Sequence, residues 1–161
     1  MANPCSNIVV VLGDPQRLRS FRKRAASQRL PDGSTAKPPR VFNFHAFVPM
    51  PLELAQSRSV ERLTWALRYW GTKGHATRAS LCDNTLEDIP SLLYSFETPW
   101  SPPIPIITEA SRAFPDLILE LSYAEPGTKT EGRLCYQAGR RNNALGRRIS
   151  QAMWQARLRS A

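Results

Sequence analysis

The segment "DLILELSYAEPG", residues 116–127, constrains the fold more than any other. Leu117, Leu119, Leu121 and Tyr123 alternate with Ile118, Glu120, Ser122 and Ala124, the period-two pattern of a strand with one apolar face. "EPGTKTEG" then turns the chain and "RLCYQAG" returns beside it. A second alternation lies in "LLYSFETPW", with Leu92, Tyr94, Phe96 and Thr98 on one face. The run "NIVVVLGD" reads as a buried strand ending at Gly13. Asp14 follows as a helix N-cap and Pro15 takes the first helical position, where its missing N–H costs nothing.

Helical spacing marks three further segments. Leu18, Phe21 and Ala25 share one face after Pro15, and Ile107, Ala110 and Phe114 share another before Pro115. Ser59 caps a predicted helix through about Trp70, with Val60, Leu63, Leu67 and Trp70 inward. Gly71 then stands where a C′ glycine belongs. "PDGSTAKPPR" is a loop, "VFNFHAFV" a predicted strand and "TKGHATRASLC" an extended strand weakened by Gly74. The order is strand, helix, inserted segment, strand, strand, helix, strand, strand, tail helix. It predicts an α+β, ferredoxin-like βαββαβ antiparallel sheet with helices on one face, an insertion after the first helix, and an extra C-terminal strand and helix. The domain is expected over 1–137, with an Arg-rich helical tail over 138–161.

The 161 residues carry a net charge of +9, concentrated at the two ends. Residues 1–40 hold eight Lys/Arg against Asp14 and Asp32, residues 133–161 hold seven arginines and no acid, and the middle is net −4. Such asymmetry suggests a polyanionic partner, with a solvated helix face and a loose basic tail as the plain alternative. The candidate nucleic-acid contacts are Arg17, Arg19, Arg22, Lys23 and Arg24 near the start, and Arg140, Arg141, Arg147, Arg148, Arg157 and Arg159 near the end. Lys73, bracketed by Gly71 and Gly74, is a candidate anion ligand at the lip of the sheet.

Catalytic signatures do not emerge. "GTKTEGRL" has the glycine spacing of a P-loop but has Arg133-Leu134 in place of Lys-Ser/Thr, and it joins two strands. His45 and His75 each lack a second histidine or cysteine at ligand spacing, so no metal site is expected. Cys5 reads as a small buried residue more readily than as a reactive thiol. Glu97 and Glu120 fall on predicted strands, where a shared acidic site competes with a solvated sheet face. No catalytic residues and no cofactor are expected. The odd count of three scattered cysteines suits a reduced, cytoplasmic protein; "MANPC" has no signal-peptide pattern, and no apolar run reaches membrane-helix length.

Several motifs occur together: "NPCSNIVVVLGDPQRLRSFR", "FNFHAFVPMPLEL", "YWGTKGHAT", "FETPWSPPIPII", "FPDLILELSYAEPG" and "EGRLCY". Over most of residues 1–137 they resemble the YubB-type ferredoxin-like domain family, small proteins of bacterial plasmids and prophages. Its signature falls here on Trp70, Gly71, Trp100, Pro102 and Gly127, as structural positions. The family often has Trp at Pro4 and Trp-Asp at Gly74-His75, and usually an aromatic soon after Gly127, so any ligand site the family shares at those aromatics is expected to be weakened here. The resemblance implies the fold and a mobile-element setting, and no catalytic residues. Two functions remain: a non-catalytic accessory that contacts DNA or RNA phosphates through its basic ends, and a protein-interaction module acting on a host complex. In the second, a tail helix with Leu145, Ile149, Met153 and Trp154 docks on a partner or folds back on its own domain.

Overall fold

The computed structural model describes residues 3–148 and 151. Strand β1 (Pro4–Leu12) leads into helix α1 (Pro15–Ala25). An inserted segment follows, holding a 3₁₀ turn (Phe44–Ala46) and the short helix α2 (Leu52–Ala55), and then helix α3 (Val60–Tyr69). Strands β2 (Thr77–Asn84) and β3 (Ser91–Pro99), helix α4 (Ile104–Ala113), and strands β4 (Ile118–Glu125), β5 (Thr130–Gln137) and β6 (Arg140–Arg141) complete the order. The sheet runs β2-β3-β1-β4-β5-β6 and every pairing is antiparallel. Its first four strands have the ferredoxin-like order, as the alternations predict.

Local chemistry places the ends of these elements. The Asp14 carboxylate accepts from the N–H groups of Gln16 and Arg17, which opens α1 directly after β1. Gly71 takes φ +77° and ends α3 in the left-handed region. Leu92, Tyr94, Phe96 and Thr98 of β3 are all buried, and so are Leu119 and Leu121 of β4 and the preceding Leu117. They meet Leu18, Phe21 and Ala25 of α1 and Ile106, Ile107 and Ala110 of α4 on one side of the sheet. A smaller cluster on the opposite side joins Val10, Leu12 and Cys135, with Ile118 and Leu145 packed against it. The helical residues 143–148 therefore begin by leaning on the face that α1 and α4 leave open.

Three expectations need correction. "VFNFHAFV" is not a strand: Phe42, Phe44 and Phe47 reach the core from a loop and a 3₁₀ turn. Asn43 holds that turn, its side chain accepting from the His45 N–H and donating to the Ser27 carbonyl. Helix α3 is rotated relative to its expected phase. Ala66 and the C-capping Trp70 are buried, whereas Val60, Leu63 and Leu67 are 74%, 45% and 44% exposed. Arg140 and Arg141, expected in a helical tail, instead form β6 against Gln137 and Tyr136. Residues 143–148 of that expected tail are helical, and Ile149, Met153, Trp154, Arg157 and Arg159 lie outside the described residues.

Candidate functional site

Helix α1 offers fewer open cations than its composition suggests. Arg17 reaches Asp116 at 2.7 Å and lies over the Phe114 ring. Arg22 pairs with Asp83 on β2 at 2.5 Å, and Arg24 donates to the Ala46 carbonyl while covering Phe47. Exposed pairs of this kind are screened by solvent and add little stability; they connect α1 to the β2 edge and to a residue just ahead of β4. Arg19 and Lys23 are exposed and make no ion pair among the described residues.

The C-terminal edge is different. Arg140 and Arg141 sit on β6, Arg147 and Arg148 on the helical residues after it, and Arg133 on β5; all are exposed. Arg133 and Arg147 line one cavity of about 280 Å³ with Cys135, Asn143 and Gly146. Arg133 also pairs with Glu120 at 3.5 Å. Glu120 is 6% exposed. Its burial raises the carboxyl pKa against the opposing pull of Arg133, and burial beside Glu120 lifts the Cys135 thiol to about 11. Glu97 and Glu120 do not share a site: Glu97 lies opposite Ser6 and Glu120 opposite Val10, on either side of β1.

The remaining sequence-marked positions are structural or lie at the rim. Trp70 is buried and donates its Nε1–H to the Val48 carbonyl at 2.8 Å. The Gly71 carbonyl accepts from Ser101, and Thr72 donates to the Pro99 carbonyl, so the Trp70–Lys73 and Trp100–Pro102 segments meet as neighbours. Lys73 places its Nζ 5.4 Å from the centre of the Trp100 ring, which is 41% exposed. Gly127 belongs to the β4–β5 turn, where its N–H and that of Thr128 both donate to the buried Glu125 carboxylate. That placement also removes the helix start a P-loop needs. Cys5 is buried and its thiol pKa is raised by desolvation, a poor setting for a nucleophile.

One pairing was invisible in the sequence. His45 and His75, thirty positions apart, bring their Nε2 atoms to 3.2 Å beneath Trp70. They line a cavity of about 140 Å³ with Arg40 and Arg62, the inner wall of the inserted segment. Desolvation, with Arg40 and Arg62 nearby, depresses His45 to about 4; His75, also pressed by His45, falls to about 2. Both imidazoles are neutral at physiological pH. No group of three or more His, Cys, Asp or Glu suited to a metal occurs among the described residues.

A family model described as "Ferredoxin-like domain in Api92-like protein" matches residues 79–152. The crystal structure of a protein api92 from Yersinia pseudotuberculosis is similar with a TM-score of 0.65 at 10% sequence identity, over 86% of this chain and 95% of that one. No curated protein matches. The structural likeness gives the ferredoxin-like fold. The family match corrects the YubB-type resemblance: the matching model is that of Api92-like proteins, a distinct family, and its match begins within β2 and runs past β6. No helix among the described residues is long and apolar enough to cross a membrane.

Proposed function

We propose that this protein is a non-catalytic nucleic-acid-binding accessory whose contacts run through phosphates. The reading is carried by the C-terminal edge, where Arg133, Arg140, Arg141, Arg147 and Arg148 are all exposed and, of these five, only Arg133 has an ion pair among the described residues. Arginine forks suit phosphate oxygens, and such contacts position a protein without reading bases. The sheet supports no base-stacking mode of the RRM kind. On the face away from α1 and α4, β1, β3 and β4 present Ser6, Ile8, Ser95, Glu97, Ser122 and Ala124, and no aromatic ring. Within α1, Arg19 and Lys23 are the residues best placed to extend the footprint.

A mobility-shift series on single- and double-stranded DNA and RNA tests this directly. Affinity should fall with salt along a log–log slope of about −0.7 to −0.9 per phosphate contacted. Replacing Arg140, Arg141, Arg147 and Arg148 with Gln should flatten that slope, with sequence preference unchanged. Absence of binding at low salt by the intact chain refutes the reading.

A second reading, a protein-interaction module, is favoured by α3. Val60, Leu63 and Leu67 form an exposed apolar row, with Leu54, Trp65 and Tyr69 along a neighbouring groove of about 480 Å³. An apolar helix face left to solvent is a common mark of partner binding. A Leu63→Glu/Leu67→Glu variant should keep its melting temperature. Unchanged biological activity in that variant would remove this reading.

A further inference from the structure

The paired histidines carry information that the arginine edge does not. The backbone N–H of Met50 donates to Nδ1 of His45 at 3.2 Å. A neutral imidazole that accepts at Nδ1 holds its proton on Nε2. His45 therefore donates Nε2–H to Nε2 of His75, and His75 in turn holds its proton on Nδ1. That N–H is buried and has no hydrogen-bond partner among the described residues. The chain of donors begins at the backbone of Met50 and ends on an unmet donor.

A second unmet donor belongs to Arg40, another residue of the same cavity lining. Nη1 of Arg40 is buried without a partner, and Arg40 makes no ion pair among the described residues. Its backbone is fixed from both sides: the Arg40 N–H donates to Gln28 Oε1 at 2.7 Å, and Gln28 Nε2 donates back to the Arg40 carbonyl at 2.8 Å. Arg62 adds a second positive charge while donating to the Ser57 carbonyl. Leu30, Pro31, Leu52 and Ala55 supply apolar wall. Asp32 is the acid on this lining, and its Oδ1 is engaged by the N–H and hydroxyl of Ser34. Buried donors left unmet carry a desolvation cost, larger where they are charged. A ligand that supplies acceptors and negative charge removes that cost.

The chemistry excludes a cation. His45 presents a proton, not a lone pair, toward His75, and two guanidiniums oppose metal charge. The volume excludes a bulky ligand. We propose that this cavity is a binding pocket for a compact oxyanion, a carboxylate or a phosphoryl group, received by Arg40 Nη1–H and His75 Nδ1–H under the field of Arg62. Neutral imidazole and guanidinium together give directed donors to an acceptor-only group, the arrangement that favours carboxylate and phosphate over water. The site is separate from the arginine edge and does not rest on the nucleic-acid reading.

The test is a side-chain ¹H–¹⁵N correlation experiment on the full chain. Inorganic phosphate and sodium acetate are titrated separately at neutral pH, with chloride holding the ionic strength constant. The expected result is a protonated His75 Nδ1 before any addition, and saturable shifts of His75 Nδ1 and the Arg40 guanidinium with at least one anion. The tighter of the two anions identifies phosphoryl or carboxylate as the natural group. Arg40→Gln should weaken binding by about tenfold or more, as loss of a charged buried donor does, whereas Arg19→Gln should not change it. If Arg40→Gln does not fold, Arg62→Gln takes its place and should also weaken binding. Arg40→Gln should leave nucleic-acid mobility shifts unchanged, so failure here and failure of the edge reading are distinct. No saturable shift with either anion, an unprotonated His75 Nδ1, or equal affinity in the folded Arg40→Gln or Arg62→Gln protein overturns the proposal.

Discussion

Replacing Gly71 with alanine separates two costs that are usually measured together. Gly71 has φ +77°, and a Cβ built there would stand 2.6 Å from Cδ of Pro105 and 3.1 Å from the carbonyl of Pro102. Gly33 supplies the control: φ is +81° and a Cβ there meets nothing within 4 Å. An L-residue in the left-handed region costs about 1–2 kcal/mol, and the loss of glycine's freedom in the unfolded chain returns about 0.4–1 kcal/mol. Gly33→Ala should therefore lose about 0–1.6 kcal/mol. Gly71→Ala adds an overpacking cost of about 1–3 kcal/mol. The proline ring is stiff, and relief by separation is blocked where Ser101 donates to the Gly71 carbonyl and Thr72 to that of Pro99. Urea denaturation with a shared m-value of about 1–3 kcal/mol/M should place the Gly71→Ala midpoint about 1 M below that of Gly33→Ala. In a Pro105→Ala background, much of that difference should vanish. Equal midpoints for the two glycine variants would refute the steric argument, and a Gly71→Ala midpoint equal to the parent would refute the left-handed cap as well.

Two further outcomes follow from the Trp70 environment. The folded pKa values of His45 and His75 lie below the unfolded value of 6.5, so as pH falls through that value the unfolded chain takes up protons first. Their contribution is intact above pH 6.5 and is lost on acidification. Stability should drop between about pH 6.5 and 5 by on the order of 1 kcal/mol per pH unit for each histidine; a flat series of urea midpoints, or an unchanged slope in His45→Gln/His75→Gln, would contradict this. Trp70→Phe removes the indole N–H from the Val48 carbonyl and opens space against Phe44 and Trp65. A loss of about 2–4 kcal/mol is expected by chemical denaturation, and a loss within error of zero would show that the indole bond carries no stability.

What could be read from the chain depended on how locally each feature was determined. β3 and β4 were legible because alternation is a property of neighbours, and α1 because Asp14 and Pro15 mark its start within two residues. The Phe42–Phe47 segment was misread because burial of aromatic rings does not require a strand. Asn43 bends the backbone through bonds to Ser27 and His45 that composition does not reveal. The phase of α3 was misread because its most apolar row, Val60, Leu63 and Leu67, faces solvent, while Ala66 and Trp70 face the core. The basic character of α1 was legible, but the neutralising partners of Arg17 and Arg22 lie 99 and 61 residues away. The histidine pair is a product of tertiary packing alone, since nothing near either residue signals the other.

The two margins of the sheet bear on how this molecule behaves in a concentrated solution. At one margin, β2 shifts register between Thr77 and Ser80, with Arg78 at φ +49°. At the other, β6 is two residues long and both are arginines. Bulged, short and charged margins are poor templates for a strand from another copy. The guanidiniums of Arg140 and Arg141 thus guard solubility in addition to any ligand they hold. Glutamine there keeps polarity but removes repulsion between copies, so preparations of the neutralised variant should be followed by light scattering as concentration rises.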